Sequence, residues 1–166
     1  ASRSRPGELV CGDQAIAVDI DGESALFGVL DGLGHGPDAA HAARTATETL
    51  RDARRERLEV LVQLCHRELS GTRGAAMTLA RINFRTGELA WTAIGNVSAN
   101  LVAKGATGIQ IRSSARLAGG IVGYRIPEPA PAQMVSIRTG DLLVIASDGI
   151  AEDHLDYIDF AAAASD

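Results

Sequence analysis

The chain begins with two apolar segments that are typical of β-strands. Residues 8–20 are rich in apolar and β-branched side chains, and a second run, SALFGVL, covers residues 24–30. Asp21-Gly22 lies between the two runs, and glycine tolerates the positive φ that a tight hairpin turn requires. The pattern therefore predicts an antiparallel hairpin whose second strand leads into Asp31.

Two amphipathic helices are predicted next, because apolar residues recur at spacings of three and four. The first covers residues 37–53 and opens with Pro37, which suits a first helical position, and Asp38, which suits the positive end of the helix dipole. Alanines dominate its inner face, so this helix can lie close to a sheet. The second helix covers residues 56–69 and places Cys65 on its apolar face.

From Gly74 onwards the pattern changes to strands separated by glycine-containing turns. The apolar runs cover residues 75–84, 88–96, 98–104, 108–112, 132–138 and 141–147. Gly87, Gly105 and Gly140 lie between successive runs and predict hairpins. Helical character returns only after Glu152. The predicted order is a hairpin, two helices, an antiparallel meander and a C-terminal helix, and two antiparallel sheets flanked by helices satisfy it.

Composition and charge narrow the class of protein. With 166 residues, of which 46% are hydrophobic and 22% charged, the chain fits one ordinary globular domain. The formal net charge of −5 disfavours nucleic-acid binding. Four arginines cluster between the two helices, and because charges of both signs are interspersed we interpret them as a solvated helix end: Arg51, Arg54, Arg55 and Arg57.

Several features indicate a cytoplasmic protein without a membrane partner. No apolar stretch is long enough to span a bilayer, and the first ten residues, ASRSRPGELV, lack the apolar centre of a signal peptide. The two cysteines, Cys11 and Cys65, do not make a disulfide scaffold, and we expect Cys65 and Trp91 to lie in the core. CxxC and HExxH motifs are absent, so nothing indicates zinc.

The segment DGLGHGPDAA, residues 31–40, allows two chemical interpretations. In the first, Gly34 to Ala39 fits the dinucleotide-binding fingerprint G-x-G-x-x-A between a strand and a helix. That fingerprint also requires a parallel βαβ unit and an acidic residue roughly 20 positions further on. Here the segment follows a hairpin, and the corresponding region is an arginine-rich helix. A dinucleotide site is therefore disfavoured.

The second interpretation is a metal site built from aspartates. Asp31-Gly32 and Asp148-Gly149 are identical strand ends far apart in sequence, and Asp13, in C-G-D, precedes both. Such ends can converge at one edge of a two-sheet core, where carboxylate and carbonyl oxygens suit hard divalent cations. A glycine after the aspartate lets the backbone turn so that its carbonyl can also reach the metal. Asp-Gly pairs often merely terminate strands, so the pattern alone leaves both possibilities open.

At these residues the chain resembles the metal-dependent type 2C serine/threonine protein phosphatases. The likeness rests on C-G-D, V-L-D-G-L-G-H-G, A-I-G-N-V-S-A-N-L, G-G-I-V-G and G-D-L-L-V-I-A-S-D-G-I, in family order from residue 8 to about 152. One branch in particular has Gly-His-Gly after the Asp-Gly and Gly-Asn in A-I-G-N-V, as this chain does. Its members also lack an appended regulatory domain, and we expect the same of this chain. That branch contains the small bacterial stress-response phosphatases, the stressosome phosphatase of RsbX type and the related SpoIIE.

The resemblance implies an α+β fold, a four-layer α-β-β-α sandwich with two antiparallel sheets. Residues 1–166 would form a single phosphatase domain that lacks the family's final C-terminal strand. It also implies two Mn²⁺ or Mg²⁺ ions: Asp31 would bridge them, the Gly32 carbonyl would bind one, Asp148 would bind the other, and Asp13 would act directly or through water. A water shared by the ions would then attack phosphorus in line while the ions offset charge on the phosphoryl oxygens.

The chain departs from the family pattern at two places. The family's last metal ligand is an aspartate before a final strand, and none of the C-terminal candidates matches its motif: Asp153, Asp156, Asp159 and Asp166. Many members carry a histidine two residues after the bridging aspartate, where this chain has Leu33. His35, two positions further on, is the candidate general acid, and a turn or capping role is its alternative. A non-catalytic phosphatase-like binding module with an incomplete metal site is the alternative.

The same resemblance implies a partner. The substrate would be a phosphorylated regulatory protein, either a stressosome scaffold or a protein of the anti-sigma-antagonist type. Independently of the resemblance, we expect the phosphatase itself to be a monomer. Asp31, Asp148 and His35 would be its catalytic residues.

Overall fold

The computed structural model describes residues 11–106, 108–127, 132–148 and 150. In this part of the chain it contains two helices and nine strands. They are, in chain order, β1 (Asp13–Asp19), β2 (Ser24–Gly32), α1 (Pro37–Asp52), α2 (Leu58–Glu68), β3 (Ala75–Asn83), β4 (Glu88–Ile94), β5 (Ser98–Gly105), β6 (Gly108–Ser114), β7 (Leu117–Ala118), β8 (Gln133–Ser136) and β9 (Leu142–Ala146). None of the helices in the described ranges is long and apolar enough to cross a membrane.

The strands form two sheets. The larger has the order β1-β2-β3-β4-β7, with β8 also pairing with β4, and the smaller has the order β6-β5-β9. Every pairing is antiparallel except that of β4 with β7. The predicted α+β class with two largely antiparallel sheets is therefore confirmed, whereas the two-residue β7 was not predicted.

Alternation of side chains along the strands separates the molecule into layers. On one face of the larger sheet, Leu26 and Leu30 of β2 pack with the apolar faces of both helices. On the other face, Phe27 packs toward the smaller sheet, and Trp91 is fully buried there as predicted. The described residues thus form three layers, α-β-β. The helix predicted after Glu152, which would begin the fourth layer, lies outside the described residues.

The first hairpin forms as predicted, but its connection is longer than a two-residue turn. Residues 20–23 link β1 to β2. The Asp19 carboxylate accepts a hydrogen bond from the Gly22 backbone N–H at 3.0 Å, and the Asp21 carboxylate accepts one from the Ser24 N–H at 2.7 Å. Gly22 has a φ of 80°, which explains the need for glycine in this loop.

The hairpin predicted around Thr139-Gly140 is wrong. The strand before it, β8, pairs with β4 in the larger sheet, whereas the strand after it, β9, pairs with β5 in the smaller one. The Asp141 carboxylate accepts the Arg138 backbone N–H at 2.8 Å and so stabilises the crossing between sheets. The connection from β4 to β5 also changes sheets, so the strands do not form a simple meander. Turn residues predict where the chain reverses, but the pairing depends on which sheet the next strand joins.

Candidate functional site

Asp13 and Asp31 lie side by side on adjacent strands. They are direct partners in the antiparallel register of β1 and β2. Directly opposed residues have Cβ atoms about 5 Å apart. Because Leu30 packs toward the helices, the next residue, Asp31, faces the smaller sheet, and its register partner Asp13 shares that face.

The end of β9 brings Asp148 to the same place from the other sheet. The Ser147 hydroxyl donates a hydrogen bond to Asp13 Oδ2 at 2.7 Å. The Asn96 side-chain amide donates one to Asp148 Oδ2 at 2.8 Å. The end of β9 therefore lies next to Asp13, and a cation shared by Asp148 and Asp31 stays a prediction. We call the group of Asp13, Asp31 and Asp148 the carboxylate edge.

Gly32 is required for a different reason from the predicted one. The strand stays extended through Gly32, which pairs with Ala75, and its φ is not positive. A Cβ atom at Gly32 would lie 2.1 Å from the carbonyl oxygen of Ala39, in the first turn of α1. The idea that glycine turns the backbone at this position is therefore wrong: glycine is needed because the helix approaches so closely.

The chain turns in the loop that follows, residues 33–36. Gly34 and Gly36 have φ values of 90° and 78°, and Gly36 is the N-cap of α1. His35 is exposed in this loop, near the end of β2, and its role as proton donor stays a prediction. The strand before the loop is antiparallel to both of its neighbours, so the parallel βαβ unit of a dinucleotide site is not formed here.

Arg73 lies across the same loop. A Cβ atom at Gly34 would be 2.6 Å from Nη1 of Arg73, so the guanidinium rests against the glycine backbone. Its Nε is 3.6 Å from a carboxylate oxygen of Asp38, and both side chains of this pair are more than half exposed. Sequence position alone did not identify an arginine near the site.

The donor atoms at the carboxylate edge suit a hard divalent cation. They are oxygens, with two adjacent carboxylates and a third held by side-chain hydrogen bonds, and such atoms are the ligands that Mg²⁺, Mn²⁺ and Ca²⁺ prefer. In the described ranges, no group of three or more His, Cys, Asp or Glu side chains is close enough to hold a metal. A cation at this edge would need water or main-chain carbonyls as further ligands. The four C-terminal aspartates considered as a last ligand lie outside the described residues.

Ser147 and Asn96 are site residues that the sequence did not identify. Both belong to motifs that carried the family resemblance, A-S-D-G and A-I-G-N-V. Their function could not be read from these motifs, because each donates to a residue 52 or more positions away. Such contacts exist only once the two sheets have packed.

Comparison with known proteins identifies the family and the fold. Residues 21–162 match the sequence profile of the family described as stage II sporulation protein E (SpoIIE). Phosphoserine phosphatase RsbX of Bacillus subtilis (strain 168) is 26% identical over 94 residues, which are 57% of this chain and 47% of RsbX. The match therefore spans about half the length of that curated relative.

Solved structures extend the likeness over nearly the whole chain. One, described as "The bacterial stressosome: a modular system that has been adapted to control secondary messenger signaling", is 35% identical with a TM-score of 0.84, covering 99% of this chain and 81% of that one. RsbX in complex with magnesium is 21% identical with a TM-score of 0.78, covering 95% and 78%. The PP2C phosphatase domain of SpoIIE from Bacillus subtilis is 17% identical with a TM-score of 0.68, covering 90% and 44%. The last two are likenesses of fold.

Proposed function

The chain belongs to the SpoIIE family, and we propose that it is a metal-dependent protein phosphatase that hydrolyses phosphoserine or phosphothreonine esters. The observation that carries this proposal is the pairing of Asp13 with Asp31, next to the strand end that bears Asp148. The family match and the similarity to phosphoserine phosphatase RsbX support the same reaction.

In this proposal the carboxylate edge holds Mg²⁺ or Mn²⁺, with the Gly32 carbonyl as a further ligand. A bound divalent cation supplies Lewis acidity for the attack of water on phosphorus and offsets charge on the phosphoryl oxygens. A relative of the same fold, RsbX, has been solved with magnesium. Two ions are expected from the family resemblance, and the second depends on a ligand not yet assigned.

The chain's own residues position these ligands. The Ser147 hydroxyl orients the Asp13 carboxylate, and the Asn96 amide orients that of Asp148. Hydrogen bonds of this kind hold ligating carboxylates in one geometry. His35, in the exposed loop after Asp31, is the candidate donor of a proton to the leaving alcohol.

The proposed substrate is a phosphorylated regulatory protein, either a stressosome scaffold or a protein of the anti-sigma-antagonist type, in the cytoplasm. One similar solved structure is described as concerning the bacterial stressosome, which supports the first class. The phosphatase is proposed to act as a monomer.

Phosphate release tests the proposal directly. The purified chain should hydrolyse p-nitrophenyl phosphate and a phosphoserine peptide only with Mg²⁺ or Mn²⁺, and Asp31→Ala should abolish hydrolysis. Asp52→Ala is the matched control, because Asp52 ends α1 on the exposed surface and should leave the rate unchanged. Full activity in excess chelator would contradict the proposal.

The alternative, a non-catalytic phosphatase-like binding module, has support from the lack of a complete three-residue metal cluster in the described part of the chain. Such a module would bind the phosphoprotein without turnover. Anomalous scattering from crystals soaked in Mn²⁺ counts the ions. One weak ion or none, together with binding but no phosphate release, would favour the module.

A further inference from the structure

Residues 119–125 form a turn beside the carboxylate edge. Val122 exchanges two backbone hydrogen bonds with Ala75, at 2.9 and 3.0 Å. Ala75 is also the register partner of Gly32, the residue after Asp31. The turn is therefore separated from the strand end that carries Asp31 by a single strand.

The turn is held rigidly on both the sheet and a helix. Ile121 and Arg125 exchange backbone hydrogen bonds at 2.7 and 2.9 Å. The Gly123 N–H donates to Nδ1 of His66, on α2, at 3.0 Å. A Cβ atom at Gly123 would lie 2.7 Å from that of Leu69, so only glycine fits against the end of the helix. The backbone of this turn thus has little freedom.

Tyr124 lies at the tip of this rigid turn with 82% of its surface exposed. Its backbone N–H donates to the carbonyl of Ile121 at 3.0 Å, so the position of the residue is fixed although its ring faces solvent. Tyrosine offers a large contact area at a small cost in side-chain entropy, and aromatic residues of this kind dominate binding energies at interfaces. A large aromatic side chain displayed on a fixed backbone suits recognition of a partner.

The surroundings of Tyr124 are basic and partly apolar. Arg125 is exposed next to it, and Arg73 lies over the loop at the end of β2. Leu33 is 41% exposed, and its N–H donates to the carbonyl of Gly74, which precedes Ala75. We call Leu33, Arg73, Tyr124 and Arg125 the docking rim. Arg73 forms an exposed ion pair with Asp38, with 3.6 Å between Nε and a carboxylate oxygen, so Arg125 supplies the rim's excess positive charge. This positive charge contrasts with the chain's net charge of −5 and complements an anionic segment.

We propose that the docking rim binds the polypeptide segment that flanks the phosphorylated residue of a protein substrate. Tyr124 contacts apolar and backbone groups of that segment, and Arg125 contacts its acidic side chains. The inference rests on the proposed phosphatase function and adds to it a basis for selecting phosphoproteins over small phosphate esters.

Comparison of two substrates tests the rim. The ratio of kcat/KM for a phosphoserine peptide to kcat/KM for p-nitrophenyl phosphate should fall about tenfold in Tyr124→Ala, because only the peptide reaches the rim. Tyr124→Phe should preserve the ratio. Phe84→Ala is the matched control, since Phe84 is 60% exposed and follows the far end of β3.

A comparison of peptides with acidic and with alanine flanks tests the charge of the docking rim separately. At low salt, Arg125→Ala should reduce the preference for a peptide with acidic flanks over one with alanine flanks, and added salt should have the same effect on the original chain. Equal preference in both proteins would contradict the charged part of the proposal.

Peptide binding separates failure of the rim from failure of the phosphatase function. Fluorescence anisotropy with a labelled phosphoserine peptide should show binding about tenfold weaker in Tyr124→Ala. If no phosphate is released but binding depends on Tyr124, the result supports the docking rim and contradicts the proposed phosphatase function. If hydrolysis occurs and Tyr124→Ala changes neither the ratio nor binding, the rim is overturned. A Tyr124-dependent change of oligomeric state with an unchanged ratio would instead assign the surface to a second copy of the chain.

Discussion

Asp31 and Asp148 are each followed by glycine in the sequence and lie at strand ends, yet the fold holds them differently. Asp31 is the penultimate residue of β2, which has a paired strand on each side. Gly32, directly after it, packs closely against the first turn of α1. Asp148 instead follows β9, which within the described residues pairs with β5 alone, and a side-chain hydrogen bond from Asn96 holds its carboxylate.

The packing behind the two aspartates shows the same contrast. An apolar cavity of about 360 Å³ separates β9 from β1 and β2, and its lining includes Phe27, Val29 and Leu143. All but the last residue of β9 are only partly buried. Main-chain pairing and close packing therefore determine the position of Asp31, whereas side-chain hydrogen bonds largely determine that of Asp148. The two ends should respond differently to substitution.

The largest difference should appear when each carboxylate is replaced in turn. We expect Asp31→Asn to lower kcat/KM for p-nitrophenyl phosphate about a thousandfold, because a cation at this site supplies several kcal/mol of transition-state stabilisation. Asp148→Asn should cost about a hundredfold or less, since water can replace a ligand on an exposed edge. Steady-state kinetics in Mg²⁺ and Mn²⁺ measure both. A larger loss for Asp148→Asn would reverse the comparison.

Gly32→Ala should have the largest effect on stability. The added methyl group would meet the Ala39 carbonyl at 2.1 Å, so either β2 or α1 must move, and we expect a loss of about 3 kcal/mol in the free energy of unfolding. Urea denaturation measures it.

Gly119→Ala is the matched control for this substitution. Its φ is not positive, and a Cβ atom there meets nothing within 4 Å, so the change should stay within about 0.5 kcal/mol. Equal stability of the two variants would show that close packing of α1 against Gly32 does not hold the Asp31 end of β2 in place.

Loss of the Asn96 side chain should affect activity more than stability. Asn96→Ala removes the donor that orients Asp148, and outer partners of metal ligands contribute about tenfold or more to affinity or activity. Unfolding free energy should change by only about 0.5 kcal/mol, because the bond is exposed. Asn100→Ala is the control, since the Asn100 side chain accepts from Ser114 on the neighbouring strand β6. Equal activity of the two variants would remove Asn96 from the site.

The smallest expected effect concerns the helix layer behind the Asp31 end. Burial, followed by the nearby charge of Glu68, raises the pKa of the Cys65 thiol from 9.0 to about 12. In a Cys11→Ser background, Cys65 should thus resist alkylation at pH 8 until urea unfolds the chain. Above pH 9 the unfolded thiol ionises while the folded one does not, so stability should decline as the pH rises from 9 toward 12. Rapid labelling of the folded protein would show that this layer opens.

Much of the local structure follows from patterns along the chain. Spacing of apolar residues and the Pro37 start predicted α1 and α2 to within two residues at each end. Local rules sufficed there because a helix satisfies its backbone hydrogen bonds within its own segment. Strand runs and glycine turns were also located, and the motifs around Asp31 and Asp148 identified the family that the comparisons bear out.

Contacts between distant segments account for the rest. Nothing in the Thr139-Gly140 turn distinguishes a hairpin from a crossing between sheets, because pairing depends on which open strand edge the next segment meets. Position 32 carries glycine, the residue type that a turn would need, but the reason is the close approach of α1. A Cβ atom at Gly32 would lie 2.1 Å from the carbonyl oxygen of Ala39. The donation from Ser147 to Asp13 joins residues 134 positions apart. The sequence determines the residue types and their local spacing. The distances between side chains of distant segments are determined only when two sheets and a helix layer pack together and exclude water.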